Sequence, residues 1–341
     1  MAGAVSHRHP ASAAAAPPAA ASAGWWSDRL VGTALGAAGV LVLLVITGMA
    51  IYVFRTAWPS FSANGLSWFG AGGDANVQLQ NIFSSKAPFE YTLRAWPLLY
   101  GTALAAGGAV VFGLVISTLA ALFIVAFAPP TIARVLEPVV RLLAGVPSVI
   151  YGLIGVLVLV PFVNDHLISR AHKESVFYVV QLTGQSLLVA TALLTIMIVP
   201  IMIAIAVDAL RSVPSSWTEG ALALGANRMR VMWTIALRAA RPALVAGAVL
   251  ALARALGEAI MLAMVSGGVI FAPQPIDGVT FVFEPVLTLA AAIVQGAEGI
   301  SVKPYGATLF AMAAVIMVSS VMLSITGWAV RRQLRRFGAG A

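Results

Sequence analysis

Residues 96–127 read WPLLYGTALAAGGAVVFGLVISTLAALFIVAF, without one charge. About 20 mostly apolar residues suffice to cross the hydrocarbon core of a bilayer as a helix. The chain therefore reads as an all-α polytopic membrane protein. Working outward, five further runs qualify: 30–54, 138–163 with Arg141 near its start, 177–207, 243–265 with Arg254 and Glu258 inside it, and 306–330. Residues 283–295 are apolar but short and follow a Pro/Gly-rich stretch. That length suits a re-entrant or interfacial segment, although a seven-span arrangement stays open.

The composition agrees with six transmembrane helices. Of 341 residues 60% are hydrophobic and 9% charged, against about 25% charged in a soluble domain. Too few charges remain to cover a water-soluble globule, which sets aside the ordinary cytosolic enzyme classes. The chain has no cysteine, so disulfides, thiolate zinc sites, Fe–S clusters and thiol nucleophiles are excluded.

The net charge of +8 points to loops held on a cytoplasmic face rather than to nucleic acid. With the N-terminus inside, thirteen basic residues fall on the inner side and six on the outer, leaving Arg254 in the membrane. Both termini are expected to be cytoplasmic, in a bacterial plasma (inner) membrane. The expected organisation is an Ala/Pro-rich disordered tail over 1–24, a first transmembrane helix over 25–55 and an outer loop over 56–95. A core over 96–334 carries a cytoplasmic loop at 208–242, and a short tail follows over 335–341. The first run is too long for a cleaved signal. Trp58, Trp68 and Trp96 flank the outer loop, as rings at a membrane–water boundary do. No internal repeat is evident, which gives no support to an inverted-repeat carrier.

The loop 208–242 carries five arginines. Ser215, Ser216 and Thr218 offer hydroxyls to cap a short helix ahead of Glu219. Ala221-Leu222-Ala223-Leu224 continues that helix. Gly225-Ala226-Asn227 ends it, since Gly and Asn tolerate the left-handed conformation of a helix end. A second helix is expected over roughly 228–240. Helix, sharp turn and helix make a compact element able to dock into a partner's groove.

This loop resembles the EAA loop of ABC importer permeases: Glu-Ala-Ala, three residues, Gly, nine residues, Ile, one residue, Leu-Pro. Here these positions are Glu219-Gly220-Ala221, Gly225, Ile235 and Leu237; Gly220 replaces the first Ala and Arg238 replaces the Pro. The resemblance implies a coupling helix that sits in a cleft of the ATP-binding subunit. Three further stretches narrow it. Gly145-Val146-Pro147-Ser148-Val149-Ile150-Tyr151-Gly152 resembles a signature of phosphate-specific ABC permeases. Trp96-Pro97-Leu98-Leu99-Tyr100-Gly101-Thr102, with the long outer loop before it, resembles the PstC type rather than its PstA-type partner. Ala253-Arg254-Ala255-Leu256-Gly257-Glu258 resembles a motif of both. The resemblance covers about residues 30 to 335. It implies the type I ABC importer permease fold, a second permease subunit of the PstA type, an ATPase dimer and an extracytoplasmic phosphate-binding protein. The chain itself would be a transport subunit and no enzyme, with ATP hydrolysis in a partner and no cofactor or metal of its own.

Arg254 sits in the middle of the run 243–265. A central charge costs on the order of 2.5–3.5 kcal/mol on insertion scales, so it must face a polar cavity or a partner. Glu258, four residues on, is within reach on one helix face. Arg254 can offer planar donors to an oxyanion crossing the pore. Glu258 can steady the guanidinium and accept a proton from hydrogen phosphate. A salt bridge that locks two helices is the alternative. Gly145 and Pro147, with Ser148 beside them, free backbone groups early in the third run, so they form either a gate or bend beside the pathway or a close packing site. Gln181 and Gln185 are expected to bond between helices.

Asp165, His166, His172 and Glu174 share one outer loop, but their spacing matches no standard metal site. None of the three lysines follows a glycine, so there is no P-loop. No G-x-S-x-G elbow or H-E-x-x-H pair occurs. Arg331, Arg332, Arg335 and Arg336 follow the last run and suit anionic lipid headgroups in the bilayer, with no nucleic acid as partner. The reading is a permease subunit of an ATP-driven phosphate importer. Another oxyanion (sulfate or molybdate) and an ATPase-independent secondary transporter are its alternatives. An intramembrane enzyme would need a nucleophile or metal that this chain does not supply at membrane depth.

Overall fold

The computed structural model describes residues 24–176 and 178–338. The Ala/Pro-rich tail expected over 1–24, except for Gly24, lies outside the described residues. So do residues 339–341 and Phe177, where the fourth span was expected to begin. Among the described residues there is no strand; one isolated bridge pairs Gly267 with Val286.

The chain divides into two compact units after Ile51, and helix α1 comprises Gly24–Asn64. The first unit contains the N-terminal part of α1, uncharged from Leu30 onward. In the second unit α1 ends in a 3-10 turn at Gly65–Phe69, followed by α2 (Ala75–Ser84). Asp74 caps α2 by accepting from the Asn76 N–H at 2.8 Å. The Asn76 side-chain amide, with that N–H, holds the Asp74 carboxyl below its usual range. Trp58 and Trp96 are exposed, as rings at a bilayer boundary would be. Trp68 departs from that expectation: it is fully buried, 5.3 Å from the Phe61 ring.

Next come α3 (Trp96–Leu122), widened by a π turn over Phe123–Phe127, and α4 (Pro130–Leu143). The third span comprises α5 (Ser148–Ile154) and α6 (Val160–Phe162) with π turns at Gly155–Leu159 and Val163–Leu167. After α7 (Arg170–Ser175) and α8 (Leu187–Arg211) comes α9 (Ser215–Ala223). Then α10 (Arg228–Val231) runs through a π turn at Met232–Ala236 into α11 (Leu237–Leu256). The last elements are α12 (Ile260–Val265), α13 (Leu289–Gln295) and α14 (Lys303–Gly338).

Six helical stretches are long and apolar enough to cross a membrane: Arg29–Phe69, Trp96–Phe127, Ser148–Leu167, Leu187–Arg211, Arg228–Leu256 and Lys303–Val330. The number matches the sequence expectation; several boundaries move, and the first stretch runs on to Phe69, past the expected end at 54–55 and into the expected outer loop. The third span starts at Ser148 rather than 138, because Pro147 lacks an N–H and disfavours helix in the residue before it. The fourth starts at Leu187, after Gly184 turns the chain at φ +88°. The fifth is displaced toward the N-terminus, from 243–265 to Arg228–Leu256, because the chain leaves the helix at Gly257. The apolar run 283–295 yields only the seven-residue α13, which does not span.

Helix α8 is the axis of the core. Leu193, Leu194, Met197 and Ile198 on it are fully buried. It packs on α3 where Gly113 lets Ile198 and Met202 approach. Small residues of this kind let helices meet closely where no hydrophobic force drives them together. A second, smaller cluster of buried residues joins the ends of α3 and α8 to the start of α11, with Leu136 and Val140 of α4 packed against it.

Candidate functional site

Loops two–three and four–five of a six-span chain emerge on one side of the membrane. They carry α4 and α9. Pro214 precedes α9 and no side chain caps it, so the expected Ser/Thr cap does not form; Thr218 Oγ1 donates instead to the Ser215 carbonyl at 2.9 Å. The far end follows expectation. Gly225 adopts φ +83°, and the Ala226 N–H reaches back to the Ala221 carbonyl at 3.1 Å. The Gly225 N–H bonds to the Leu222 carbonyl at 2.9 Å; these two bonds and the left-handed glycine belong to a helix terminator. Asn227 then starts α10 by accepting from the Arg230 N–H at 2.7 Å.

Glu219, Gly220 and Gly225 are exposed, and Ala221, Ile235 and Leu237 are half-buried. Around them Trp217, Leu222, Leu224, Met229 and Trp233 present uncovered apolar surface, Leu224 at 90% exposure. No residue of α9 is buried. Arg238, in the place of the family proline, lies inside a helix that runs on from α10 to Leu256 and tolerates Pro242 within it.

The membrane site differs from the expected single helix face. Arg254 lies in the last turn of α11 and is exposed; Glu258 lies beyond the break, half-buried. The Arg254–Glu258 pairing does not form, because an i, i+4 contact requires a continuous helix. Glu258 Oε1 instead accepts from the Met261 N–H at 3.2 Å and so fixes the start of α12. Among the described residues the ion pairs are Arg141–Asp208 and Arg211–Glu137. Ser148 opens α5, and α5 packs against α12.

Gly145 and Pro147 form a bend, in which the Gly145 N–H bonds to the Leu142 carbonyl at 3.0 Å. Close packing falls further along, on Gly152 and Gly155. A Cβ on Gly155 would stand 2.5 Å from Leu193 Cδ1 and 2.7 Å from Val265 Cγ1. Gln185, in the irregular stretch before α8, donates Nε2 to the Met264 carbonyl of α12 at 2.7 Å, so the expected interhelical bond runs from a loop to a helix.

Residues 257–302 fold back with two short helices, α12 and α13, and take several of their hydrogen bonds from earlier parts of the chain. Asn76 Nδ2 donates to the Ile270 carbonyl and its Oδ1 accepts from the Ile270 N–H, each at 3.0 Å. Thr102 Oγ1 accepts from the Leu289 N–H at 2.9 Å. Glu284 lies in this segment, outside the spans, and escaped the sequence reading. It is fully buried, its Oε2 accepts from the Gln274 N–H at 3.0 Å, and Oε1 has no partner among the described residues. Burial pushes its carboxyl up to about 7, with the nearby Asp277 carboxylate adding to the rise. One acidic residue in an apolar run gives no sequence signal of such burial.

Comparison with known proteins agrees with this architecture. Residues 113–337 match the family model described as "Binding-protein-dependent transport system inner membrane component". A probable ABC transporter permease protein of Bacillus subtilis, YqgH, is 41% identical over 46% of this chain, a match spanning about half of that relative (47%). A phosphate transport system permease protein, PstC 1, of Mycobacterium bovis is 30% identical over 88% of this chain and 91% of its own length. In the crystal structure of a bacterial alginate ABC transporter, one chain superposes with a TM-score of 0.54. The match is at 15% identity and covers 92% of this chain and 98% of that one.

Proposed function

The chain belongs to the binding-protein-dependent transport system inner membrane component family, and from that premise we propose that it is the PstC-type permease subunit of an ATP-driven phosphate importer. The observation that carries this reading is the exposed helix α9 with its left-handed Gly225 turn. It is a rigid knob ringed by uncovered apolar side chains. A carrier that works alone has no use for such a knob, whereas an ATPase cleft does. The relative named as a phosphate transport permease supports the substrate class.

In this reading an ATPase dimer grips α9 through Trp217, Glu219 and Leu222. A PstA-type subunit supplies the other half of the pathway, and an extracytoplasmic phosphate-binding protein delivers the anion. Thirteen basic residues on one side against six on the other support a reading in which both termini are cytoplasmic. Arg254 offers its planar guanidinium to the passing oxyanion. Glu258 holds α12 in register beside it, and Ser148 lines the bend next to that helix. Hydrolysis shifts the population between outward- and inward-facing states, because the ATPase contacts α9 differently in each.

The test separates transport from assembly. Arg254→Ala is expected to lower radiolabelled phosphate uptake by about tenfold or more, since one charge-assisted hydrogen bond is worth about 1.5–3 kcal/mol. Membrane abundance and the copurifying ATPase should persist. Undiminished uptake at normal abundance would remove Arg254 from the pathway. Competition by arsenate, sulfate and molybdate defines the anion.

A further inference from the structure

Helices α4 and α8 are joined by two crossing ion pairs just ahead of α9. Arg211 faces Glu137 with both terminal nitrogens, Nη1 donating to Oε2 at 2.8 Å and Nη2 to Oε1. Arg141 Nη2 donates to Asp208 Oδ1 at 3.4 Å. Glu137 and Arg141 are one turn apart on α4, and Asp208 and Arg211 one turn apart on α8, so the charges alternate and match in antiparallel order. The exit of the loop is tied to the same region: the Arg228 guanidinium lies 5.9 Å from the centre of the Phe127 ring, three residues before α4. Beneath these contacts the smaller buried cluster packs α4 against the end of α8 and the start of α11. On its other side α4 leads directly into the bend at Gly145–Pro147.

We propose that Glu137 and Arg141 are positioning residues that carry displacement of α9 through α4 to the bend at Gly145–Ser148. The inference rests on the reading of α9 as a coupling helix. It adds a defined route: both ends of the α9 loop are held to one stretch, Phe123–Leu143, and that stretch is hinged to the third span. Solvent-exposed ion pairs contribute little to stability. A bidentate Arg–carboxylate pair nevertheless fixes orientation, which is what a transmitting strut needs. Two packed helices held in one arrangement move as a body, and the segment between them and α5 absorbs the rotation.

The experiment uses the complete importer in its own membrane. Glu137→Arg and Arg211→Glu singly are expected to cut phosphate uptake about three- to tenfold, at unchanged chain abundance and with ATP hydrolysis retained. The double variant Glu137→Arg/Arg211→Glu sets two cations on α4 against two anions on α8 and should recover uptake to within about twofold. A chain without cysteine permits a second route. Glu137→Cys/Arg211→Cys should lose uptake, and a short thiol-bridging reagent should restore it. Full uptake in both single variants, or no recovery by either swap or bridge at normal abundance, overturns the strut. Deleting the ATPase subunit tests the coupling-helix reading separately: if wild-type uptake survives that deletion, that reading falls, whatever the swap shows.

Discussion

Asn76 holds Ile270 by both its backbone groups, donating to the carbonyl and accepting from the N–H at 3.0 Å each. One side chain thereby replaces a strand partner for a segment that has none, and α2 becomes the anchor of the fold-back between the fifth and sixth spans. Asn76→Ala removes both bonds at about 0.5–1.5 kcal/mol apiece. Asn76→Asp is expected to be at least as harmful, because a carboxylate oxygen then faces the Ile270 carbonyl. Thermal unfolding of the purified complex, and protease cleavage between residues 257 and 302, report the loss. Equal stability of all three forms would show the clamp to be idle.

Gly184 sits at φ +88°, where a Cβ would meet the Val160 carbonyl oxygen at 2.3 Å and Asn164 Cβ at 2.9 Å. Both the backbone conformation and the space exclude a side chain. Gly184→Ala is expected to destabilise by on the order of 2–4 kcal/mol and to reduce membrane abundance. A chemical denaturation midpoint matching the parent would contradict the close approach.

Within α9's loop the two glycines should respond oppositely. A Cβ on Gly220 meets nothing within 4 Å and the backbone there is helical. Gly220→Ala is thus expected to be neutral or stabilising by about 0.5–1 kcal/mol. Gly225 has equal space but φ +83°, so Gly225→Ala should cost roughly 1–2 kcal/mol while Gly225→Asn is better tolerated. Retention of the ATPase on affinity-purified permease is the readout.

Glu284 makes stability depend on pH. Folding raises its pKa from the ordinary value of 4.5 to about 7, mainly by burial. Between those values the native state binds the proton and the unfolded chain does not, so stability falls as pH rises from about 4.5 to 7 and levels off above. The loss is on the order of 1–3 kcal/mol. Glu284→Gln, neutral and of the same shape, should flatten that slope and be the more stable form above pH 7. Parallel pH–stability curves for the two proteins would refute the assignment.

Hydropathy made the spans legible, since each needs a long, mostly apolar run and little else in this chain supplies one. Their ends were less so. Gly257 leaves the helix inside an apolar sequence, and averaging over a window cannot see a single residue that stops propagating i→i−4 bonds. The same blindness placed Arg254 and Glu258 on one face. The turn after α9 was readable because Gly225 and Asn227 have strong conformational preferences of their own. The capping hydroxyls misled, because Pro214 already sets the entry and leaves Ser215 inside the helix. The pairing of Glu137 with Arg211 and of Arg141 with Asp208 escaped notice because no local pattern couples residues that lie about seventy positions apart.

The borrowed hydrogen bonds of residues 257–302 also impose an order on how the protein is made. Asn76, Thr102 and Gln185 all precede the segment they satisfy, as does Leu187, whose N–H holds the Glu284 carbonyl at 2.9 Å. As the polypeptide leaves the ribosome, these four partners have already been synthesised. The fold-back can therefore make these bonds as it emerges, before α14, which packs on α13, has been translated.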